Sequence, residues 1–204
     1  MNVVFDFGGV LLRWQPDEFM PRLLPRLATD AASTRALVLT FFQHFEGDWG
    51  EFDRGRIDTG TLAERIARRI GIGFDEARMA IDAVVDELTP LPDTVALLRR
   101  LHARGHGLFY LSNMPLSYAA LLESRNDFLG LFRNGVFSSR VGLVKPEPAI
   151  YQHAITAWGI DAHATVLIDD IERNLSAARA FGWRGILFRD ASQCEASLRA
   201  LGVL

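Results

Sequence analysis

The chain has 204 residues, 49% hydrophobic and 23% charged, with a net charge of −3. That is enough for one compact domain with a sizeable core, or a core with a modest insertion, and the mild acidity excludes the basic footprint of a nucleic-acid partner. The single cysteine, Cys194, excludes an internal disulfide. No apolar run approaches a membrane span, and the opening run meets Asp6 too early for a signal peptide. The expectation is therefore a cytoplasmic protein with no membrane partner, as a monomer or a homodimer.

The first twelve residues, MNVVFDFGGVLL, organise the rest. Val3-Val4-Phe5 is β-branched and aromatic, as a buried strand should be. It ends on Asp6, and Gly8-Gly9 then permit a tight bend. Asp6 is thus expected at the carboxyl end of a central strand, where open α/β sheets bind ligands.

Residues 13–90 contain no convincing strand. They read as helices over 17–28, 30–46, 59–70 and 74–87, with Pro16, Pro21 and Pro25 breaking the first or fixing its start. Thr61 with Glu64 forms a candidate capping box, and Asp58 and Thr59 are competing N-caps. An all-helical block between strands of one sheet reads as an inserted cap, leaving 1–12 and 91–204 as the core.

From Pro90 strands and helices alternate. Helices are expected over 93–104, 116–128, 149–158, 171–181 and 191–201, and strands over 107–111, 136–137, 165–168 and 185–188. This order predicts a Rossmann-like α/β fold: a mostly parallel sheet with helices on both faces. Right-handed crossovers bring every strand-end loop to one edge. Asp6, Ser112 and Asp169-Asp170 directly follow strands, and Lys145 follows one after a short loop, so four polar stations converge.

Asp6 and Asp170 offer oxygen ligands suited to Mg²⁺, which commonly takes one or two carboxylates plus substrate phosphate. Lys145 adds positive charge and Ser112 a hydroxyl, a set suited to a phosphoryl group. A carboxylate can then act as nucleophile through an aspartyl-phosphate. Each residue also has a plain structural reading: Ser112 as a helix cap, Lys145 as a solvated loop lysine, and Asp169-Asp170 as acids opening a helix. Asn174, one turn beyond Asp170, reads as its support.

The residues carry a resemblance to the haloacid dehalogenase-like hydrolase superfamily. Its motif one is similar to Val3–Leu11 (VVFDFGGVL), motif two to Leu111-Ser112-Asn113, motif three to Gly142–Tyr151 (GLVKPEPAIY) and motif four to Val166–Asn174 (VLIDDIERN). The sugar-phosphatase and epoxide-hydrolase amino-terminal branch is the nearest in look. The resemblance implies Asp6 as nucleophile, Ser112, Asn113 and Lys145 on the phosphate, and Asp6, the Gly8 carbonyl and Asp170 on Mg²⁺, with Asp169 and Asn174 in support. It implies a Mg²⁺-dependent phosphatase acting on a small phosphorylated metabolite, such as a sugar phosphate. The alternatives are a 2-haloacid dehalogenase, whose motif four lacks the acidic pair, and a catalytically weak regulatory or binding protein.

One departure stands out. Family phosphatases usually place a second aspartate, the general acid and base, two residues after the nucleophile, and here that residue is Gly8. Its carbonyl remains for metal, but proton transfer from that position is lost. Substrate choice is expected in the helical block, with Trp14, His44, Phe45, Trp49, Phe52 and Arg54 as candidates.

Overall fold

The structure, a computed structural model, describes all residues from Met1 to Leu204. Five strands form one parallel sheet: β1 (Asn2–Phe5), β2 (Gly107–Ser112), β3 (Asn134–Phe137), β4 (Thr165–Asp169) and β5 (Arg184–Leu187), in the order β3-β2-β1-β4-β5. β1 is central, pairing Phe5 with Tyr110 on one side and with Ile168 on the other. The three central strands, β2, β1 and β4, are buried on both faces, which is why they read as continuous apolar runs. Val3 and Phe5 join one core cluster and Val4 the other; Leu108 and Tyr110 alternate likewise with Phe109 and Leu111.

The first five of the six α-helices between β1 and β2 are α1 (Pro16–Leu23), α2 (Ala31–Phe42), α3 (Gly47–Asp53), α4 (Thr59–Ile70) and α5 (Phe74–Glu87). Then come α6 (Pro92–Ala103), α7 (Leu116–Arg125), α8 (Pro148–Trp158), α9 (Glu172–Arg179) and α10 (Ala191–Ala200), interleaved with β2 to β5. Helices α6 and α10 contribute Leu97, Leu98, Leu101, Cys194 and Leu198 to the larger core cluster; α8 and α9 contribute Ile150, Ala154, Leu175 and Ala178 to the other face.

The helical block differs from expectation in two places. The first helix stops at Leu23, before the Pro25 that cannot continue it. The helix expected over 30–46 ends at Phe42, and α3 lies at Gly47–Asp53, where no helix was expected. Asp30 caps α2 with a reciprocal Ser33 contact, and α2 ends at Phe42 where Gln43 turns left-handed. Gln43, His44 and Phe45 all have positive φ, a conformation that no glycine signals here, and α3 follows. At α4 the open question of the cap resolves to Asp58, whose carboxylate accepts from the Thr61 amide at 2.7 Å.

The break turns an aromatic cluster inward. Phe42 packs edge-on against Trp49 with ring centroids 4.5 Å apart, and meets Trp14, Phe19, Phe41 and Phe45. No helix is long and apolar enough to cross a membrane. Removing a fully buried aromatic ring costs about 3–5 kcal/mol. Phe42→Ala is therefore expected to lose about that much in urea unfolding; a loss under about 1 kcal/mol would show that the site collapses without the ring.

Candidate active site

The strand order places a topological switch between β1 and β4, where open α/β sheets bind ligands. Asp6 immediately follows β1, its amide bonded to the Ile168 carbonyl of β4. Asp169 ends β4 and Asp170 follows it. Carboxylate oxygens of Asp6, Asp169 and Asp170 all lie within 4.8 Å of one another.

Lys145 is the single cation among them. Its Nζ stands 3.0 Å from Asp6 Oδ1 and 2.6 Å from Asp169 Oδ2, and it is 3% exposed. Burial works to deprotonate it, but the charges of Asp169 and Asp6 outweigh this and raise its pKa. The lysine is thus an integral buried group, and the solvated-loop reading is set aside.

The two acids of motif four have different surroundings. Asp169 is fully buried and saturated: Lys145, the Ile171 amide at 2.9 Å and Asn174 Nδ2 at 2.9 and 3.1 Å all donate to it. Asn174 therefore supports Asp169 rather than Asp170, and Tyr151 in turn donates to the Asn174 carbonyl at 2.9 Å. Asp170 borders the cavity, and its buried Oδ1 has no partner.

Asn113 lines the cavity and ties two of its loops together. Its side chain accepts from the Lys145 amide at 2.8 Å and donates to the Lys145 carbonyl at 2.9 Å. It clamps the lysine's backbone, and Ser112, Asn113 and Lys145 all border the cavity. Ser112 ends β2, buried beside Asp6.

Of the two loop glycines, Gly9 is the constrained one. Its φ is +76°, and a Cβ there would sit 2.3 Å from Asp170 Oδ2. Gly8 has an ordinary φ, and its nearest neighbour to a Cβ is Trp14 Cβ at 3.9 Å, so that position has room for a side chain.

Above the cluster lies a cavity of about 270 Å³. Of the helical-block candidates, Trp14, Phe45 and Trp49 line it; Phe52 packs on Trp49 and Tyr118, and Arg54 pairs with Glu147. His44 contributes only a backbone carbonyl, which Arg173 grips at 3.0 Å. Residues that sequence reasoning missed are Met114, Tyr118, Arg173 and Asp53, all at the cavity wall.

One lysine against three carboxylates leaves an excess of negative charge. Burial first, then Asp169, raise the Asp6 carboxyl to about 6, with Lys145 and the Ser112 hydroxyl pulling down. Burial, then Asp6 and Asp169, raise Asp170 to about 7. An unpartnered carboxylate oxygen, a Gly9 cradle that a Cβ would fill and an oxygen-only donor set all fit a Mg²⁺ ion.

This fold and this acid-lysine cluster define a hydrolase built around a strand-end aspartate. The comparisons agree. The family model of the haloacid dehalogenase-like hydrolases matches residues 1–182, and the chain belongs to that family. It is 27% identical over 199 residues to the sesquiterpene phosphatase astK of Aspergillus oryzae, a match spanning 97% of this chain and 94% of that protein. Several other curated relatives are matched over only 35% to 54% of their length. Among solved structures, a HAD family enzyme of Bacteroides thetaiotaomicron in complex with magnesium and inorganic phosphate superposes with a TM-score of 0.73 at 20% identity, over 92% of this chain and 93% of that one. The L-2-haloacid dehalogenase of Xanthobacter autotrophicus superposes with 0.67 at 18% identity, over 100% and 84%. These two likenesses establish the shared fold.

The raised carboxyls set a sign for pH. With Asp6 and Asp170 at about 6 and 7 against an ordinary 3.8, the folded protein holds more protons than the unfolded chain between about pH 4 and pH 7. Their contribution to stability is then present at low pH and is lost as pH rises through that window. A cation that requires both groups ionised acts in the opposite direction. The rise in thermal midpoint on exchanging EDTA for Mg²⁺ is expected to be larger at pH 8 than at pH 5. Equal rises at the two pH values would refute the assignment.

Proposed function

We propose that the protein is a Mg²⁺-dependent phosphatase that hydrolyses a small monophosphate ester through an aspartyl-phosphate on Asp6. The observation that carries this reading is the buried Asp6–Lys145 pair facing the same cavity as an unpartnered Asp170 oxygen. Asp6, Asp170 and the Gly8 carbonyl would hold Mg²⁺, which when bound neutralises charge on the phosphoryl oxygens. Lys145 would add positive charge for the same oxygens, and the Ser112 hydroxyl would orient them. Asp6 attacks phosphorus, the bond to the leaving oxygen breaks, and water then cleaves the acyl phosphate. Asn113 keeps Lys145 in register, and Asn174 and Tyr151 do so for Asp169.

Residues 13–90 form the cap over this site, and their contribution to the cavity points to the alcohol half of the substrate. Trp14, Phe45, Trp49, Leu88, Met114 and Tyr118 give the wall an apolar and aromatic character. A sugar would leave its hydroxyls unpaired there. The alcohol is therefore apolar or aromatic rather than a sugar, a reading with which the sesquiterpene phosphatase relative agrees. The dehalogenase alternative gives Asp170 no task, and a purely regulatory role gives none to the charge excess.

Asp6→Asn is expected to abolish phosphate release while leaving the thermal midpoint in EDTA unchanged or higher, since one repelling charge is gone. The parent is expected to favour aryl and long-chain alkyl phosphates over sugar phosphates in kcat/KM. Phosphate release by Asp6→Asn at the parent rate, with deamidation excluded by mass spectrometry, would overturn the covalent route.

The two neighbouring acids are expected to separate. Asp170→Asn removes an unpaired charge, so it raises the midpoint in EDTA and abolishes the Mg²⁺-induced rise. Asp169→Asn unseats Lys145 and Asn174, so it lowers the midpoint. Indistinguishable melting behaviour of the two variants would show that the roles given to them here are wrong.

A further inference from the structure

A phosphatase must protonate the alkoxide it expels, and Gly8 has no acid to offer. The cavity nevertheless holds one carboxyl that the chemistry above leaves unused. Asp53, the last residue of α3, lines it together with Asp6, Ser112 and Lys145, and is 3% exposed.

The backbone around Asp53 is pinned to the core on both sides. The Ser138 hydroxyl donates to the Asp53 carbonyl at 2.6 Å and accepts from the Met114 amide at 2.8 Å. Arg54 forks onto Glu147, two residues past Lys145, with one contact at 2.7 Å. Gly55 follows at φ +73°, close enough to the loop after β3 that a Cβ would meet the Ser139 carbonyl at 2.7 Å. The carboxyl, in contrast, has neither an ion pair nor a hydrogen bond from the protein: Arg54 is engaged by Glu147 and Glu51. A structural aspartate would be paired. A fixed main chain with a free carboxyl facing the reacting groups is what a proton donor requires.

We propose that Asp53 is the general acid and base of this reaction, carried by the helical block in place of an acid at Gly8. The assignment rests on the phosphatase reading. In the first half-reaction Asp6 forms its bond to phosphorus as the P–O bond to the leaving group breaks, and the Asp53 proton passes to the departing oxygen, giving the free alcohol. In the second, water attacks phosphorus, Asp53 takes the water's proton, and the bond from phosphorus to Asp6 breaks, returning both carboxyls to their starting states. The surroundings favour the protonated form that the first step needs. Burial first, and then the charge of Asp6, push its carboxyl well above the ordinary range, against Arg54. From α7 it is faced by Tyr118, whose hydroxyl donates to the Ile81 carbonyl.

The test compares the parent, Asp53→Asn and Asp53→Asn/Gly8→Asp with Mg²⁺ on 4-nitrophenyl phosphate and octyl phosphate. Asparagine is isosteric with the neutral acid, and thermal melts confirm folding. Asp53→Asn is expected to lose about 10²- to 10⁴-fold in kcat/KM on the octyl ester, whose leaving group needs the proton. It is expected to stay within a few-fold of the parent in kcat/KM on the nitrophenyl ester, whose leaving group does not. Slower hydrolysis of the acyl phosphate should also give a burst of nitrophenol stoichiometric with enzyme. Gly8→Asp, for which the loop has room, is expected to restore much of the octyl activity in the Asp53→Asn background. Equal losses on both esters without a burst would mean a structural role. Parent-like activity of Asp53→Asn on octyl phosphate would overturn the assignment while leaving the phosphatase reading standing. Absence of phosphate release by the parent from any ester would overturn both.

Discussion

The structure depends on one buried cation. Lys145 is placed between Asp6 and Asp169 at 3.0 and 2.6 Å in a region closed to solvent. Low dielectric strengthens its attraction to each carboxylate and equally strengthens their mutual repulsion. Asp169 absorbs its share through the Asn174 amide and the Ile171 amide. Asp6 has Lys145, the Phe7 amide and the Ser112 hydroxyl, yet burial and Asp169 still raise its carboxyl, and Asp170, whose Oδ1 has no partner, is raised as well. The excess of negative charge thus falls on the two groups that border the cavity. The same desolvation that destabilises them in the free protein would strengthen their hold on a divalent cation.

Topology makes this concentration of charge possible. β1 lies between β2 and β4, so Asp6 has Ser112 on one side and Asp169-Asp170 on the other without any long side chain having to reach. The Lys145 loop comes from beyond β3 and is tied to the β2 loop by the reciprocal Asn113 contacts. Gly9 lets β1's exit loop pass within reach of Asp170 where any side chain would collide. Each tie is local, and each is made by a residue within a few positions of a strand end.

The sheet and the convergence of Asp6, Ser112, Lys145 and Asp169-Asp170 were legible in the sequence because period and strand-end position determine them. Partner choice was not. Whether Asn174 serves Asp169 or Asp170, and whether Asn113 faces phosphate or the Lys145 backbone, depends on distances of a few ångströms between loops from different strands. The break after Phe42 was hidden because Gln43, His44 and Phe45 adopt positive φ without a glycine to announce it. The chain turns there into α3, a helix that the periodicity does not announce, and α3 carries Asp53 to the cavity wall. In the fold Arg54 belongs to Glu147, and Asp53 is free.

Helix α3 consequently has two connections to the site. Trp49 contributes to the apolar wall that the alcohol half of a substrate would touch, and Asp53, one turn further on, faces the phosphoryl-transfer groups. On the proposed roles, one seven-residue helix both selects the leaving group and protonates it. On the same roles, the core would keep the nucleophile, the lysine and the metal ligands, which would handle a phosphoryl group common to all substrates. An acid at Gly8 would belong to that invariant core and would act on any leaving group that enters. An acid on α3 acts only when the helix is seated, and the Ser138–Asp53 and Arg54–Glu147 contacts are what seat it. Proton delivery then becomes conditional on the closed arrangement. Such coupling ties leaving-group chemistry to leaving-group recognition, and it explains why a chain that lacks the usual acid at Gly8 retains a closely held helix over its nucleophile.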